Sequence, residues 1–532
     1  MYSVIKTATV CGMEIRSVEV EVDVSEGMPS FDMVGFLSSE VKEAKERVRT
    51  AMKNSGFALP PKRIMVNLLP VNLRKVGNIY DLPVAVALMR SMGILENNEL
   101  NLDNWLIIGE IGLDGKVHRA DGVLPIVCYA LMEGYERIII PRGNLNEACC
   151  VNGIGITAVG SLMEAVEYIC ADEEGRREFD SKNMLEILEN AAVKDIGGTV
   201  EASFRNEIAP DFSDIRGQKA VKRACEVAVS GMHNFLMIGP PGAGKTMIAS
   251  RIPTIMPEPD FEERMEITKI YSIAGELKSG DGLITQRPFR SPHHTISLQG
   301  MVGGGAVPRP GEITLSHGGV LFLDELTEFS KSVLETLRQP LEDGKVSIVR
   351  ASGRYEYPAD FMLCCSSNPC SCGYYPDRNR CNCSIQQVSR YLGKISRPLL
   401  DRIDISIEAP RISYEELGRG TGESGTSAQI RQRVKETQNI QKERYKNIGI
   451  NFNSQLNGKQ VEKYCKLNKD LKDYMASVFE EMNLTARGYH KILKVARTIA
   501  DMRKSENIEE EDIFEAVMYK GIDEKFFSEV TG

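Results

Sequence analysis

Residues 239–246 read GPPGAGKT, directly after the apolar run FLMI (235–238) and directly before the helix-compatible MIASRI (247–252). In a loop of the form GxxxxGK[ST] the glycines let backbone N–H groups curl around nucleotide phosphates. The lysine adds positive charge, and the final hydroxyl is a ligand for Mg2+. Every position of that pattern is filled here, by Gly239, Pro240, Pro241, Gly242, Ala243, Gly244, Lys245 and Thr246. An apolar run before it and a helical pattern after it are the context a phosphate-binding loop requires.

Working outward, two more apolar runs end in polar residues: GVLFL (319–323) delivers Asp324 and Glu325, and FMLCC (361–365) delivers Ser366, Ser367 and Asn368. Near-continuous apolar runs suit strands buried on both faces of a parallel sheet, whose carboxyl ends bind ligands, so the three strand ends are expected to converge. Phosphoryl transfer needs an acidic group to hold the metal and another to orient water. Asp324 is assigned the Mg2+ shell and Glu325 the attacking water; an acidic strand end that merely caps a helix is the alternative. Asn368 is a candidate for positioning that water, although Asn before Pro is also an ordinary turn residue.

The remainder of the chain bounds what this site can serve. At 532 residues it is too long for one core, and about three to four domains are expected. Hydrophobic residues make up 42% and charged residues 26%, which argues against wholesale disorder. No apolar stretch is long enough to span a bilayer, and the N-terminus lacks the long apolar run of a secretory signal, so a cytoplasmic protein with reduced cysteines is expected. A formal net charge of −9 excludes a surface that binds nucleic acid everywhere; any such binding must be local.

Residues 1–170 alternate strand-like runs (SVEVEVDV, RIMVNLLP, WLIIGEIG, RIIIP) with helical patterns such as SEVKEAKERVRTAMKNSG, giving one α/β unit. From 171 to 210 the charge density rises and Gly197, Gly198 and Pro210 interrupt the pattern, predicting a linker. The P-loop domain spans 211–410. Residues 411–532 open on the polar stretch GRGTGESGTSAQ and continue as helical patterns to the end.

Several of these stretches resemble the magnesium-chelatase-like AAA+ ATPases, and within them the ComM/YifB family. They are DIRGQKAVKRACEVAVSGMHNFLMIGPPGAGKTMIA, RPFRSPHHTISLQGMVGGGAVPRPGEITLSHGGVLFLDELTEF, LETLRQPLEDGKVSIVRASG, SSNPCSCGYY, ISRPLLDRIDI and TARGYHKILKVARTIADMR. The resemblance implies an AAA+ core with a helical C-terminal lid and a ring, expected to be hexameric, with ATP between subunits. It implies that Arg402, in LLDRID, reaches a neighbour's γ-phosphate, and that Arg487, in ARGYH, is the arginine of the lid. A local salt bridge to Asp401 or Asp404, and a solvated helix position, are the plainer readings of these two. The N-terminal unit resembles the proteolytic domain of Lon, a ribosomal S5 domain 2-like α/β fold, through GEIGLDGKVHRADGVLPIVCYALMEGYERIIIPRGN. Where Lon's serine and lysine are expected, this chain reads GNIYDLPVAVAL and GVLPIVC, so the dyad that nucleophilic catalysis needs is missing and a scaffold or DNA-facing collar is expected.

Local charge points to the cargo. From Gly282 to Gly311 there is no Asp or Glu, but there are Arg287, Arg290, His293, His294 and Arg309. The resemblance makes this an insertion facing the ring's channel. KVSIVRASGRYEY alternates like a hairpin, with Ala351, Ser352 and Gly353 as its turn and Arg350 and Arg354 on its shoulders. Repeated around a ring, basic tips would make a phosphate-tracking channel in an acidic protein; ordinary solvated loops are the alternative. The acid-free stretch from Arg378 to Leu400 is a candidate subunit interface. It adjoins Cys370, Cys372, Cys381 and Cys383, two tight C-x-C pairs that suit a structural Zn2+ site, free thiols or a redox pair. The expected function is an ATP- and Mg2+-dependent translocase acting on single-stranded or branched DNA, which the resemblance extends to branch migration in recombination and natural transformation. A chelatase-type motor remodelling a protein partner in tetrapyrrole metallation is the alternative, and an ATP-dependent protease lacks its nucleophile.

Overall fold

The computed structural model describes residues 1–95, 101–185, 210–278, 280–305, 308–350, 353–412 and 425–527. Hairpin-turn residues Ala351 and Ser352, the stretch 186–209 of the expected linker and most of the polar stretch opening the C-terminal region lie outside them.

The P-loop strand Phe235–Ile238 sits inside a five-stranded sheet, ordered Phe289–Arg290, Val320–Leu323, Met362–Ser367, Phe235–Ile238, Ile405–Glu408, with every pairing parallel. Alternate side chains enter two separate cores. Phe235, Met237, Phe322, Met362 and Cys364 join one with the helices that follow. Leu236, Ile238, Leu321, Leu323, Leu363 and Cys365 join the other. Burial on both faces explains the unbroken apolar runs, because no strand position between the ends can face water. Pairing of Ile238 with Ser367 and of Leu323 with Cys365 brings the three polar strand ends to one edge, as the sequence predicts.

The C-terminal region is helical throughout its described residues: Ser427–Tyr445, Gly458–Tyr464, Lys469–Glu481, Ala486–Met502 and Glu510–Phe527, with short connections. Its first and fourth helices complete the first core through Ile430, Val434, Ile492 and Val495. Within it Asp501, 0% exposed at its side chain, receives Arg444 at 2.8 Å, Arg497 at 3.1 Å and Asn453 at 2.9 Å. A buried carboxylate is tolerated only when its lone pairs are so occupied.

The N-terminal unit is a seven-stranded mixed sheet, ordered Ser30–Val34, Arg63–Leu69, Glu14–Ser25, Tyr2–Cys11, Trp105–Ile107, Arg137–Pro141, Gly155–Val159. The helix Ser39–Asn54 starts on a Ser38 cap and its chain turns out through Gly56, as its sequence predicts. Tyr2–Cys11, Ser30–Val34 and Gly155–Val159 are strands that periodicity alone did not single out. Residues 173–185, the start of the expected linker, form a helix held to this sheet: Asp180 accepts Arg137 at 2.6 Å and Thr157 at 2.9 Å, and Asn183 donates to the Ala158 carbonyl. The helix Val123–Met132 packs against Phe261–Ala274 of the P-loop domain. Gly122 N donates there to the Ser272 carbonyl at 2.9 Å, and Ser272 donates to Glu147 at 2.7 Å.

Replacing Asp501 with alanine leaves two guanidinium groups without their shared anion, and should cost about 3–5 kcal/mol of stability, read by urea denaturation of the full chain.

Candidate nucleotide site and cysteine cluster

The loop after Phe235–Ile238 turns into the helix Lys245–Ile255 through Gly242 (φ +76°) and Gly244 (φ +80°), both in the left-handed region that glycine occupies without strain. At Gly239 a Cβ would lie 2.2 Å from the Ala409 carbonyl oxygen, so close packing against the end of the neighbouring strand requires glycine there.

Lys245 reaches across the loop. Its ammonium donates to the Gly239 carbonyl at 2.7 Å, the Pro240 carbonyl at 3.1 Å and Asn368 Oδ1 at 3.0 Å. Burial pushes its pKa down, and the nearby Asp324 and Glu325 carboxylates oppose that shift. Thr246 Oγ1 donates to Asp324 Oδ2 at 2.6 Å, and Ser366 donates to the other oxygen, Oδ1. Ser366 also accepts the Glu325 N–H at 3.3 Å, so one hydroxyl fixes both members of the acidic pair. Sequence reasoning noted Ser366 at a strand end but gave it no part. Its signal is the register, which sets the end of Met362–Ser367 beside the end of Val320–Leu323. Glu325 itself lies at φ +54°, a left-handed conformation uncommon for a residue with a side chain. The structure thus brings together Lys245, Thr246, Asp324, Glu325 and Asn368.

Arg402 and Arg487 are elsewhere. Both guanidinium groups converge on Glu342, Arg487 at 3.0 Å, and Arg402 also donates to the Arg338 carbonyl at 3.1 Å and the Pro398 carbonyl at 2.7 Å. Among the described residues neither has a hydrogen bond or ion pair with the P-loop, Asp324, Glu325 or Asn368 of its own chain. They line a cavity of about 790 Å³ together with Asp404, His490, Lys491 and Lys494. The local salt bridge of Arg402 to Asp401 or Asp404 does not form. Asp404 turns inward to His233 at 3.5 Å and Lys491 at 3.7 Å; burial would raise its pKa, yet Lys491, His233 and Lys494 hold it well below the usual carboxylate range.

The basic segments are less free than the sequence suggests. Arg290 is bidentate on Glu312, the acid that closes the acid-free window, both contacts at 2.7 Å, and Arg287 pairs with the more distant Glu263 at 2.8 Å. Those two arginines are structural ties, which corrects their place in the positive patch. Arg309 meets Asp121 of the N-terminal unit at 3.4 Å. The rings of His293 and His294 lie with centroids 4.0 Å apart, tilted by 35°. The predicted hairpin forms, with Lys345–Arg350 antiparallel to Gly353–Pro358 and Arg350 opposite Gly353. Arg350 and Arg354 are exposed near its tip, Arg354 pairing with Glu356 at 2.8 Å.

The four cysteines gather as their spacing predicts. Sγ atoms of Cys370, Cys372 and Cys381 are 3.3–3.8 Å apart, and those of all four, Cys383 included, lie within 4.8 Å of one another. A tetrahedral site with metal–sulfur bonds of about 2.3 Å has edges of about 3.8 Å. The N–H groups of Gly373 and Tyr375 point at Cys370 Sγ, at 3.2 and 3.4 Å, a donor set that stabilises thiolate. This cluster can hold a structural metal ion. It also touches the P-loop: at Gly373 (φ +85°) a Cβ would lie 2.5 Å from Pro241 Cδ.

A parallel sheet that ends in a phosphate-cradling loop, an Asp-Glu pair and an Asn, followed by a helical region, defines an AAA+ P-loop ATPase core. Family models described as magnesium chelatase, subunit ChlI, match residues 211–417, subunit ChlI of Mg-chelatase residues 20–144, and the ChlI C-terminal region residues 424–520. Competence protein ComM of Haemophilus influenzae is 38% identical over 513 residues, 96% of each chain, and protein YifB of Escherichia coli is 37% identical over 521 residues, 98% of this chain and 97% of its own. The Holliday junction branch migration complex subunit RuvB of Lacticaseibacillus casei is 25% identical over 245 residues, 44% of this chain and 56% of its own. The chain belongs to the ComM/YifB family of magnesium-chelatase-like AAA+ ATPases. No helix among the described residues is long and apolar enough to cross a membrane.

Gly373→Ala forces a side chain into a left-handed conformation and against Pro241. It should lower stability by about 1–3 kcal/mol, read by chemical denaturation in the absence of nucleotide.

Proposed function

We propose that this chain is an ATP-driven DNA translocase that works as a ring, expected to be a hexamer, and moves single-stranded or branched DNA, with branch migration in recombination and natural transformation as its setting. One observation carries the ring. Two arginines suited to neutralising transferred phosphate lie together in their own cavity, without a bond to the P-loop of the same chain. An arginine supplied from a neighbour raises phosphoryl-transfer rates by about 10³–10⁵.

In this reading the P-loop N–H groups and Lys245 bind the ATP phosphates. The Thr246 hydroxyl and Asp324 carboxylate, already 2.6 Å apart, would hold Mg2+, which supplies positive charge against the phosphates. Glu325 polarises the attacking water, and Asn368, bonded to Lys245, orients it. Arg402 and Arg487 act on the adjoining protomer's γ-phosphate. Arg350 and Arg354 on the hairpin, with Arg309, His293 and His294 of the insertion, contact the DNA backbone. The N-terminal unit is a Lon-like collar without the Ser/Lys dyad, and the four cysteines would hold a Zn2+ whose part is structural.

The matches to chelatase subunit models support a second reading, a motor that remodels a protein partner in metal insertion. Nucleic acid separates the two. ATP hydrolysis by the purified protein should be stimulated by single-stranded or four-way-junction DNA and should drive strand displacement on branched DNA. Lys245→Ala should lose ATP binding, Glu325→Gln should bind ATP and stall, and Arg350→Ala/Arg354→Ala should lose the stimulation; a DNA-indifferent rate with normal DNA binding by the double variant refutes the translocase. Elemental analysis should find about one Zn2+ per chain, absent when the four cysteines become serine.

A further inference from the structure

Glu342 is the one carboxylate shared by the two arginines of the separate cavity, and its place in the chain gives it a second role. It lies in the short helix Pro340–Asp343, which ends on Gly344 at φ +65°. The next residue, Lys345, opens the basic hairpin. The hairpin base closes on the same glycine, the Ala359 N–H donating to the Gly344 carbonyl at 2.8 Å. Both polar groups of this glycine are bonded, its N–H to the Pro340 carbonyl at 2.9 Å and its carbonyl to Ala359, so the joint couples the short helix to the hairpin base. Arg402 grips the segment twice, through the Glu342 carboxylate and, one turn earlier, the Arg338 carbonyl. At the far side the hairpin is tied to the insertion: Tyr357 donates to the Pro308 carbonyl at 2.7 Å, and Arg350 lies against Gly304.

We infer that Glu342 is a positioning residue that links the nucleotide state of the subunit seam to the DNA hairpin, by holding Arg402 and Arg487 until a neighbour's phosphate displaces it. The inference rests on the proposed action of those arginines on an adjoining protomer. Glu342 and Arg487 are each more than half exposed, so that pair is weak enough to be exchanged. Arg402 is 13% exposed and keeps two carbonyl bonds besides, and a polyphosphate offers more negative charge to both donors. Their withdrawal frees the Arg338–Glu342 segment from its clamp, and the only covalent path from there to the hairpin is the Gly344 joint. Hydrolysis restores the carboxylate as the better available anion.

Glu342→Gln keeps the shape and removes the charge. Without DNA its kcat for ATP should rise about two- to fivefold, the factor one exposed ion pair carries, with KM unchanged, and the stimulation by single-stranded DNA should shrink by the same factor. Glu342→Asp, which keeps the charge, should return the stimulation toward that of the parent. A purely structural role predicts instead that kcat falls equally with and without DNA, and that outcome, or an unchanged stimulation ratio, overturns the inference. Mixing Lys245→Ala with Arg402→Ala protomers tests the reading beneath it. Recovery of hydrolysis upholds action between protomers, and an unchanged ratio in Glu342→Gln then removes only the role of Glu342. Failure to recover removes both.

Discussion

A parallel strand covered on both faces can carry polar side chains only where it ends. That constraint governs the P-loop domain. Phe235–Ile238, Val320–Leu323 and Met362–Ser367 alternate their side chains between two cores, so their polar residues are expelled to one edge, and hydrogen-bonded register sets those ends side by side. Lys245, Asp324 and Asn368 are neighbours because nothing in the strand interiors could accommodate them. The chemistry of the edge follows from the apolarity of the middle.

This is why so much of the candidate site was legible in the sequence. An apolar run followed by a glycine loop, an acidic pair or an Asn states both the strand and the polarity of its end, and alternation in KVSIVRASGRYEY states the hairpin. What escaped is what depends on partners distant along the chain. Ser366 acquires its part only when Asp324, 42 residues earlier, is set beside it. Arg290 and Arg287 read as free charge because Glu312 lies just past the acid-free stretch and Glu263 on a helix well before it. Tyr2–Cys11 has a mixed polar sequence yet lies in the interior of its sheet, between Glu14–Ser25 and Trp105–Ile107, where tertiary context overrides pattern.

The electrostatic design is one of cations held by neighbouring acids. Arg309 rests on Asp121, Arg354 on Glu356, and Arg402 and Arg487 on Glu342. These pairs are mostly solvent-facing and individually weak, so they orient the guanidinium groups at little gain in stability. A net acidic chain thereby keeps these arginines oriented without a basic surface. The pairs buried from water, Asp501 with its arginines above all, serve the scaffold instead.

The contact between the N-terminal unit and the P-loop domain belongs to that second kind. Glu147, 2% exposed, takes Asn144 and Arg119 from its own side and Ser272 from the other, while Gly122 adds a main-chain bond across the same seam. Separating the two units would break both bonds and uncover Met265, which packs on the N-terminal core, so the seam resists opening. The N-terminal unit is therefore fastened to Phe261–Ala274, and a displacement of that helix is shared by the sheet in front of it.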